Sequence, residues 1–534
     1  MTQAKSAPNQ DHSPDHVVAD QSEVAAWLAD PRAHGAGTGE VERITTHGAM
    51  VFLAGDRAYK IKRAVRYPYM DFSSLALRQA ACEREVALNR RTAPELYLAA
   101  EPITRTSDGS LQIGGTGEVV EWLVVMRRFD QSGLFDRLAQ AGSLTPGIMT
   151  ALADEVAKLH EVAEPVSGAE ASGGGAAGLR AVIQENATEL SERPDLFPEA
   201  GALEAASLRA LKRVALLLDR RLASGLVRRC HGDLHLRNIC RLEDRPVIFD
   251  CIEFNDAISC IDVLYDLAFL LMDLEHRGLR RLANVVFNRY MQRREDLAGL
   301  AALPLFLVTR AAVRAKVSVS MAAGLSDPGA VARLYEEAKA YEAAARAYLA
   351  PEPPRLIAVG GLSGTGKTSL ARDLAPGLGA PPGALHLRSD VLRKRLAGVE
   401  ETTRLPPESY SAAASETVYD ALLERAQLAL MAGHAVVVDA VCARPAERAA
   451  LAALAEQTRV SFTGLWLEAP EEMLIARVAA RQGDASDATA QVVRTQQAYD
   501  LGEITWARLD AAHAPADLTA EARRLIARSQ ASSG

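Results

Sequence analysis

Short alternating runs near the start of the chain give way to apolar residues at helical spacing. Residues 50–54 and 58–62 read as two strands, and Gly55-Asp56-Arg57 between them is a hairpin signal. Residues 75–91 carry apolar positions at helical spacing with neither Gly nor Pro, which predicts a helix. Residues 119–126 predict a further strand before the polar Arg127-Arg128, and residues 22–29 a short amphipathic segment. Residues 167–178, rich in Ala, Gly and Ser, are expected to form a flexible surface loop. From 179 to 349 the pattern is mostly helical, with one interruption at 230–255. Strands first and helices later predict an α+β domain.

The pattern changes after Pro351-Glu352-Pro353-Pro354, a stiff linker. Strand-like residues 355–359, 384–388, 435–438 and 462–467 alternate with helical stretches. Gly433 suits a helix end and Pro445 a first helical turn. Alternation of this kind predicts a parallel sheet flanked by helices. The expected organisation is a disordered tail over 1–21, a domain over 22–350, the linker at 351–354 and a second domain over 355–530.

Composition narrows this picture. A chain of 534 residues is too long for one ordinary core. Its net charge of -8 carries no basic surplus, which argues against a broad nucleic-acid or anionic-membrane surface. The six cysteines have no paired spacing, which suits a reducing cytoplasm. The longest apolar run, 297–308, contains Pro304 and is too short to cross a bilayer, so a buried helix is expected there.

Gly361-Leu362-Ser363-Gly364-Thr365-Gly366-Lys367-Thr368 fits G-x-x-x-x-G-K-[ST] between a predicted strand and a predicted helix. Backbone N–H groups of such a loop wrap phosphates, and the helix N-terminus adds positive potential. Lys367 can reach the β- and γ-phosphates of ATP, and the Thr368 hydroxyl can ligate Mg2+. Asp390 follows the next predicted strand, at the sheet edge where ligands bind. It can accept the proton of an attacking hydroxyl, with Arg393 on the same helix face to neutralise phosphate. This resembles the D-x-x-R element of polynucleotide kinases and small-molecule P-loop kinases. Asp439 ends the apolar strand at 435–438 in a Walker-B-like manner and can hold a magnesium water. Arg477 and Arg481 share a helix face, followed by Asp484 and Asp487. The arrangement resembles the lid of adenylate- and gluconate-kinase-type enzymes; a solvated helix end is the other reading.

His231-Gly232-Asp233-Leu234-His235-Leu236-Arg237-Asn238, followed by Val247-Ile248-Phe249-Asp250, carries a second site. It resembles the H-G-D-x-H-x-x-N catalytic loop of aminoglycoside phosphotransferases, choline kinases and protein kinases, in which an Asp ends the next strand. The resemblance implies Asp233 as catalytic aspartate and Asn238 and Asp250 as magnesium ligands. Rival readings of Cys230, His231, His235 and Cys240 as a zinc set, or of Cys230-His231 as a thiol dyad, do not fit the spacing. Ala58-Tyr59-Lys60 matches the end of the V-A-I-K element, so Lys60 is the expected strand lysine, with Lys62 on the same face as its rival. Glu85 is the expected helix partner, with Glu83 second. Thr45-Thr46-His47-Gly48-Ala49-Met50 departs from the kinase G-x-G-x-x-G, having one glycine. Asp262 and Asp266 are expected to support the loop; Arg310, Arg314 and Lys316 are expected to decorate a solvated helix face, with binding of an anionic group as the other reading.

The tandem as a whole resembles bacterial proteins described as bifunctional aminoglycoside phosphotransferase/ATP-binding protein. The resemblance implies a protein-kinase-like (aminoglycoside phosphotransferase) α+β fold followed by an α/β P-loop NTPase fold with a parallel sheet. It implies transfer of the γ-phosphoryl of ATP to hydroxyl groups of small-molecule acceptors at two sites. A nucleotide-dependent regulator, in which one site controls the other, is the competing class, and a polynucleotide or protein kinase a third. The acidic balance argues mildly against nucleic acid.

Overall fold

The computed structural model describes residues 16–35, 39–67, 69–481 and 483–531. Of the tail expected over 1–21, residues 1–15 lie outside these. Residues 16–21 are ordered, contrary to expectation. The Gln21 carboxamide donates to the Lys62 carbonyl at 2.8 Å and to Glu121 at 2.7 Å, and accepts from the Ala64 amide at 2.7 Å. One amide side chain thus satisfies three groups of the neighbouring chain, which orders the segment before it.

Two compact units form: Met1–Arg277 with Leu305–Arg346, and Gly278–Pro304 with Ala347–Gly534. This differs from a first domain running unbroken over 22–350. The helix Arg280–Arg294 buries Leu282, Ala283, Val286, Phe287, Tyr290 and Met291. Phe287 meets His434 with ring centroids 5.0 Å apart. Its apolar face therefore belongs to the second unit, a placement that its position in the chain hides.

The first unit opens with a six-stranded antiparallel sheet, in the order Glu42–Thr45, Ala49–Ala54, Arg57–Lys62, Glu118–Arg127, Tyr97–Arg105 and Leu111–Ile113. Alternation along Arg57–Lys62 sends Tyr59 and Ile61 to one face, where Val24, Ala25 and Leu28 of the helix Ser22–Ala29 cover them. Ala58 faces the other way and packs with Cys82 and Val86 of the helix Leu75–Asn89. The Ser74 hydroxyl caps that helix by accepting from the Leu77 amide. Helices and the small hairpin Ile239–Leu242/Arg245–Ile248 follow.

Residues 167–178 are not a loose loop. They include a 3-10 turn, Gly168–Ala171, and the start of the helix Gly175–Ser191. The glycines serve close approach: a Cβ on Gly173 would lie 2.1 Å from the Ala257 carbonyl oxygen, and one on Gly178 would lie 2.4 Å from the Gly173 carbonyl carbon. Ala298–Ala323 is long and apolar enough to cross a membrane by length and composition, and 72% of its most apolar window is buried within the protein.

The second unit is built on a five-stranded parallel sheet in the order Leu385–Arg388, Val436–Asp439, Arg355–Gly361, Ser461–Glu468 and Ala507–Asp510. Every residue of the central strand Arg355–Gly361 is buried, as a strand covered on both faces requires. The last strand, Ala507–Asp510, is a four-residue edge with a single buried side chain, too short to declare itself in the sequence. All six cysteines are free and buried.

Candidate active sites

Lys60, on the strand Arg57–Lys62, reaches Glu85 of the helix Leu75–Asn89 at 2.8 Å and Asp250 at 2.7 Å. Lys62, two residues on and on the same face, takes the second oxygen of Glu85 at 2.5 Å and also pairs with Glu253. Lys60 is therefore the lysine that meets Asp250, and Lys62 belongs to a buried ion pair behind it. Glu83 is exposed and accepts from Gln79 instead. Burial works against the Lys60 ammonium, but Asp250 and Glu85 overcome it and raise its pKa well above the ordinary lysine value. Burial raises the Glu253 carboxyl in spite of Lys62.

The loop after Cys230 turns on Gly232, whose φ of 86° suits glycine. Asp233 lies 3.3 Å from His235 Nε2, and the Asn238 side-chain amide donates to its carboxylate at 2.9 Å. Burial raises the Asp233 carboxyl, yet the His235 and Arg314 charges outweigh this and hold it well below the carboxylate range. Asp250 sits in the left-handed region at φ 62°, with its amide on the Tyr97 hydroxyl at 3.1 Å. The zinc alternative has no geometry. Cys230 Sγ is turned to the Ile261 carbonyl, His231 to the Phe249 carbonyl and His235 to Asp233.

Asp266 holds the loop from below. It accepts from the amides of His231 at 3.1 Å and Gly232 at 2.9 Å, and from His160 Nε2 at 3.0 Å. Burial raises its carboxyl, but the His160 hydrogen bond and the charges of His160, His231 and Arg310 bring it down to about 2. Asp262 does not touch the loop; it caps the helix Val263–His276 and pairs with Arg221 at 2.6 Å. Asp273, seven residues beyond Asp266 on the same helix, accepts from the Leu236 amide at 3.0 Å. That spacing is a legible signal which the sequence reading passed over.

Arg310 and Arg314 are buried, contrary to the solvated face expected of them. Arg310 lies 3.9 Å over the Tyr265 ring and donates to the Tyr265 and Gly232 carbonyls, so cation–π contact and loop support retain it inside. Lys316 pairs with Glu185 and Glu189. The departure at Thr45–Met50 proves to be a tight turn: the Thr46 hydroxyl donates to the Ala49 carbonyl, and Arg63 donates to the Thr46 and His47 carbonyls.

In the second unit the loop from Gly361 to Thr368 joins the central strand to the helix Lys367–Leu374. Gly361, Gly364 and Gly366 have φ of 136°, 88° and 90°, and a Cβ on Gly364 would lie 2.7 Å from the Leu474 carbonyl oxygen. The Ser363 amide donates to the Gln496 side chain at 2.8 Å, and the Thr365 hydroxyl to the Leu362 carbonyl. Lys367 Nζ folds onto the Leu362 carbonyl at 3.0 Å. The Thr368 hydroxyl donates to Asp439 at 2.6 Å, so the residue after the lysine and the strand-end acid meet directly.

A cavity of about 1100 Å³ opens in front of this loop, lined by Lys367, Asp390, Arg393, Asp439, Arg477 and Arg481 among others. Burial and the neighbouring Asp439 raise the Asp390 carboxyl, against the pull of Lys367. Arg393 donates to the Ser409 carbonyl at 2.6 Å and lies 4.8 Å over the Tyr410 ring. Arg481 lies 3.5 Å from Asp484, and Arg477 donates to the Ala511 carbonyl at 2.9 Å. Of the acids after them, Asp484 also takes Arg388 at 2.6 Å and Asp487 takes Lys394 at 2.5 Å. Arg388, Lys394 and Gln496 had no motif to mark them.

Both sites offer oxygen donors of the kind magnesium prefers. The Asn238 NH2 donates to Asp233, so its side-chain oxygen and the half-exposed Asp250 carboxylate are the groups of this loop that could ligate a cation. Thr368 and Asp439 form the corresponding oxygen pair.

Residues 55–303 match the family described as the phosphotransferase enzyme family, and residues 356–500 match an AAA domain family. An uncharacterised protein of Mycobacterium tuberculosis is 32% identical over 475 residues, covering 88% of this chain and 91% of its own length. Among solved structures, a choline/ethanolamine kinase family protein from Mesorhizobium loti is 17% identical and covers 61% of this chain and 98% of its own, with a TM-score of 0.34. A sugar kinase from Janibacter sp. HTCC2649 is 22% identical and covers 33% of this chain and 95% of its own, with a TM-score of 0.26. The chain therefore belongs to the same family as the mycobacterial protein, and is itself a kinase that joins a phosphotransferase-enzyme-family domain to a P-loop AAA domain.

Proposed function

We propose that the chain transfers the γ-phosphoryl group of ATP to hydroxyl groups of small-molecule acceptors at two separate sites. The observation that carries this reading recurs in each unit: a carboxylate without a lysine or arginine ion pair among the described residues. Asp233 neighbours Asp250, the acid that Lys60 holds, and Asp390 lines one cavity with Lys367. An acid that no lysine or arginine neutralises can turn to an acceptor hydroxyl, and Asp233 is held in place for this by Asn238 and His235.

In the first unit, Lys60 orients the phosphates while Glu85 fixes its ammonium. Asp233 takes the acceptor proton, and Asp266 and Asp273 hold its loop still. In the second, the glycine loop and Lys367 wrap the phosphates, Asp390 takes the proton, and Arg393, Arg477 and Arg481 surround the transferring group. Asn238 with Asp250, and Thr368 with Asp439, would hold magnesium, which neutralises charge on the phosphates. A cavity of about 1100 Å³ has room for a nucleotide and a small acceptor together. The cytoplasm is the compartment we assign, supported by the six free, buried thiols.

The test is ATP turnover by the full chain against a panel of hydroxyl acceptors, with Asp233→Asn and Asp390→Asn made singly and together. Acceptor phosphorylation lost stepwise supports two phosphotransferase sites. Acceptor phosphorylation that persists in the double variant overturns the reading.

A further inference from the structure

The outer strand of the second unit's sheet, Leu385–Arg388, is paired on one side only, by Val436–Asp439. Its Leu385 amide points inward and donates to the Ala435 carbonyl at 2.8 Å. The next amide, His386, points outward, where an edge strand leaves its donors and acceptors without a ladder. Here the Asn288 side chain of the helix Arg280–Arg294 replaces the missing strand. Its Oδ1 accepts from the His386 amide at 2.7 Å, and its Nδ2 donates to the Ala384 carbonyl at 3.2 Å. Asn284, one turn earlier, donates to the same carbonyl at 3.1 Å. A carboxamide is the one uncharged side-chain group that presents an acceptor and donors in the geometry of a peptide.

What this fastening holds is close to the chemistry. The His386 ring nitrogen Nε2 lies 3.5 Å from Asp439, which accepts the Thr368 hydroxyl. Arg388, at the end of the same strand, lies 3.6 Å from Asp439, and the chain then enters the helix Ser389–Leu396 that bears Asp390. The helix that supplies Asn288 is further tied by Arg289 to Glu401 at 2.6 Å and by Glu295 to Arg425 at 2.8 Å.

We infer that Asn288 is a positioning residue of the P-loop site. It pins the outer strand so that His386 stands against Asp439 and Asp390 stands over the cavity. The inference rests on reading that site as a phosphotransferase. The segment 278–304 lies, but for its last residue, inside the phosphotransferase-family match and between two stretches of the first unit. The P-loop site is thus completed by a stretch of chain that its own family match omits. The phosphate loop itself hangs from the central strand, two strands away, so nucleotide grip is independent of Asn288 while the placement of Asp390 is not.

The experiment uses the full chain with Asp233→Asn, which silences the first site, and follows the slow Lys367-dependent transfer of phosphoryl from ATP to water. In this parent, Asn288→Ala is expected to lower kcat by about 10- to 100-fold, the usual effect of removing a group that orients a site, with KM for ATP unchanged within about twofold. Asn288→Asp keeps the oxygen that accepts from the His386 amide and is expected to recover part of the loss. Amide exchange at His386 should quicken in Asn288→Ala and less so in Asn288→Asp. A kcat equal to the parent's, or a loss shared equally by kcat, ATP affinity and thermal stability, would overturn the inference. A parent whose ATP binding does not depend on Lys367 overturns the reading of the site, whereas His386 amide exchange unchanged in Asn288→Ala overturns the inference alone, whatever the turnover.

Discussion

Lys60 and Lys62 meet on one carboxylate: Glu85 takes Lys60 on Oε1 at 2.8 Å and Lys62 on Oε2 at 2.5 Å. The two lysines differ in what stands on their other side. Lys60 faces Asp250, whose side chain is 44% exposed, whereas Lys62 faces the buried Glu253. Lys60→Met should therefore reduce phosphoryl transfer by the first unit with a small effect on folding. Lys62→Met leaves the buried Glu253 without its cation, and Glu85 with Lys60 alone, and should cost about 3–5 kcal/mol of stability. Thermal unfolding and turnover on both variants check this, and equal stability losses would contradict the division of labour.

Asp233→Asn should abolish transfer at the first site, a loss of several powers of ten, while ATP binding survives. The carboxylate lies beside His235 and Asn238, while Lys60 is held by Glu85 and Asp250. Turnover is measured on the full chain carrying Lys367→Ala, so that only the first site reports. Turnover equal to that of the Lys367→Ala parent would contradict the assignment.

Lys367→Ala should remove nucleotide binding from the second unit alone. The lysine folds onto its own loop, and no ion pair among the described residues commits it elsewhere. Calorimetry on the full-length variant should find one nucleotide site where the parent has two. A variant that binds no ATP would mean that the sites share a nucleotide requirement.

Asp266→Ala should loosen the catalytic loop by removing the acceptor of two loop amides and of His160, at a cost of about 3–5 kcal/mol. The same group sets an acid sensitivity. Its folded pKa is depressed, to about 2 from the ordinary 3.8, so its contribution is fully present above the ordinary value and is lost as pH falls through the folded one. Denaturant unfolding between pH 5 and 2 should therefore converge for parent and Asp266→Asn. A stability gap that stays constant over that range would place the pH response elsewhere.

Both candidate loops were legible because their motifs are written in consecutive residues. Asn238 meets Asp233, which neighbours Asp250, and Thr368 meets Asp439, which neighbours Lys367. The Lys60–Glu85 pair was also within reach, since a strand period of two and a helix between them fix which side chains can meet. Partners supplied from far along the chain were not legible. Gln496 on the Ser363 amide and Arg388 on Asp484 have no local pattern. Burial of Arg310 depends on the Tyr265 and Phe269 rings, and charge alone made it look solvated. The helix Arg280–Arg294 reads as an ordinary amphipathic helix, and nothing along the chain says whose sheet its asparagines will cap.

The buried cysteines have a practical consequence. Burial pushes the thiols of Cys82, Cys240, Cys251 and Cys442 up to about 12, and those of Cys230 and Cys260 are raised as well. Thiolate is the species that maleimides and iodoacetamide attack, so the native fold is silent to these reagents. A single cysteine introduced on the surface would therefore be a unique attachment point for a fluorophore or spin label, with no native cysteine to remove first.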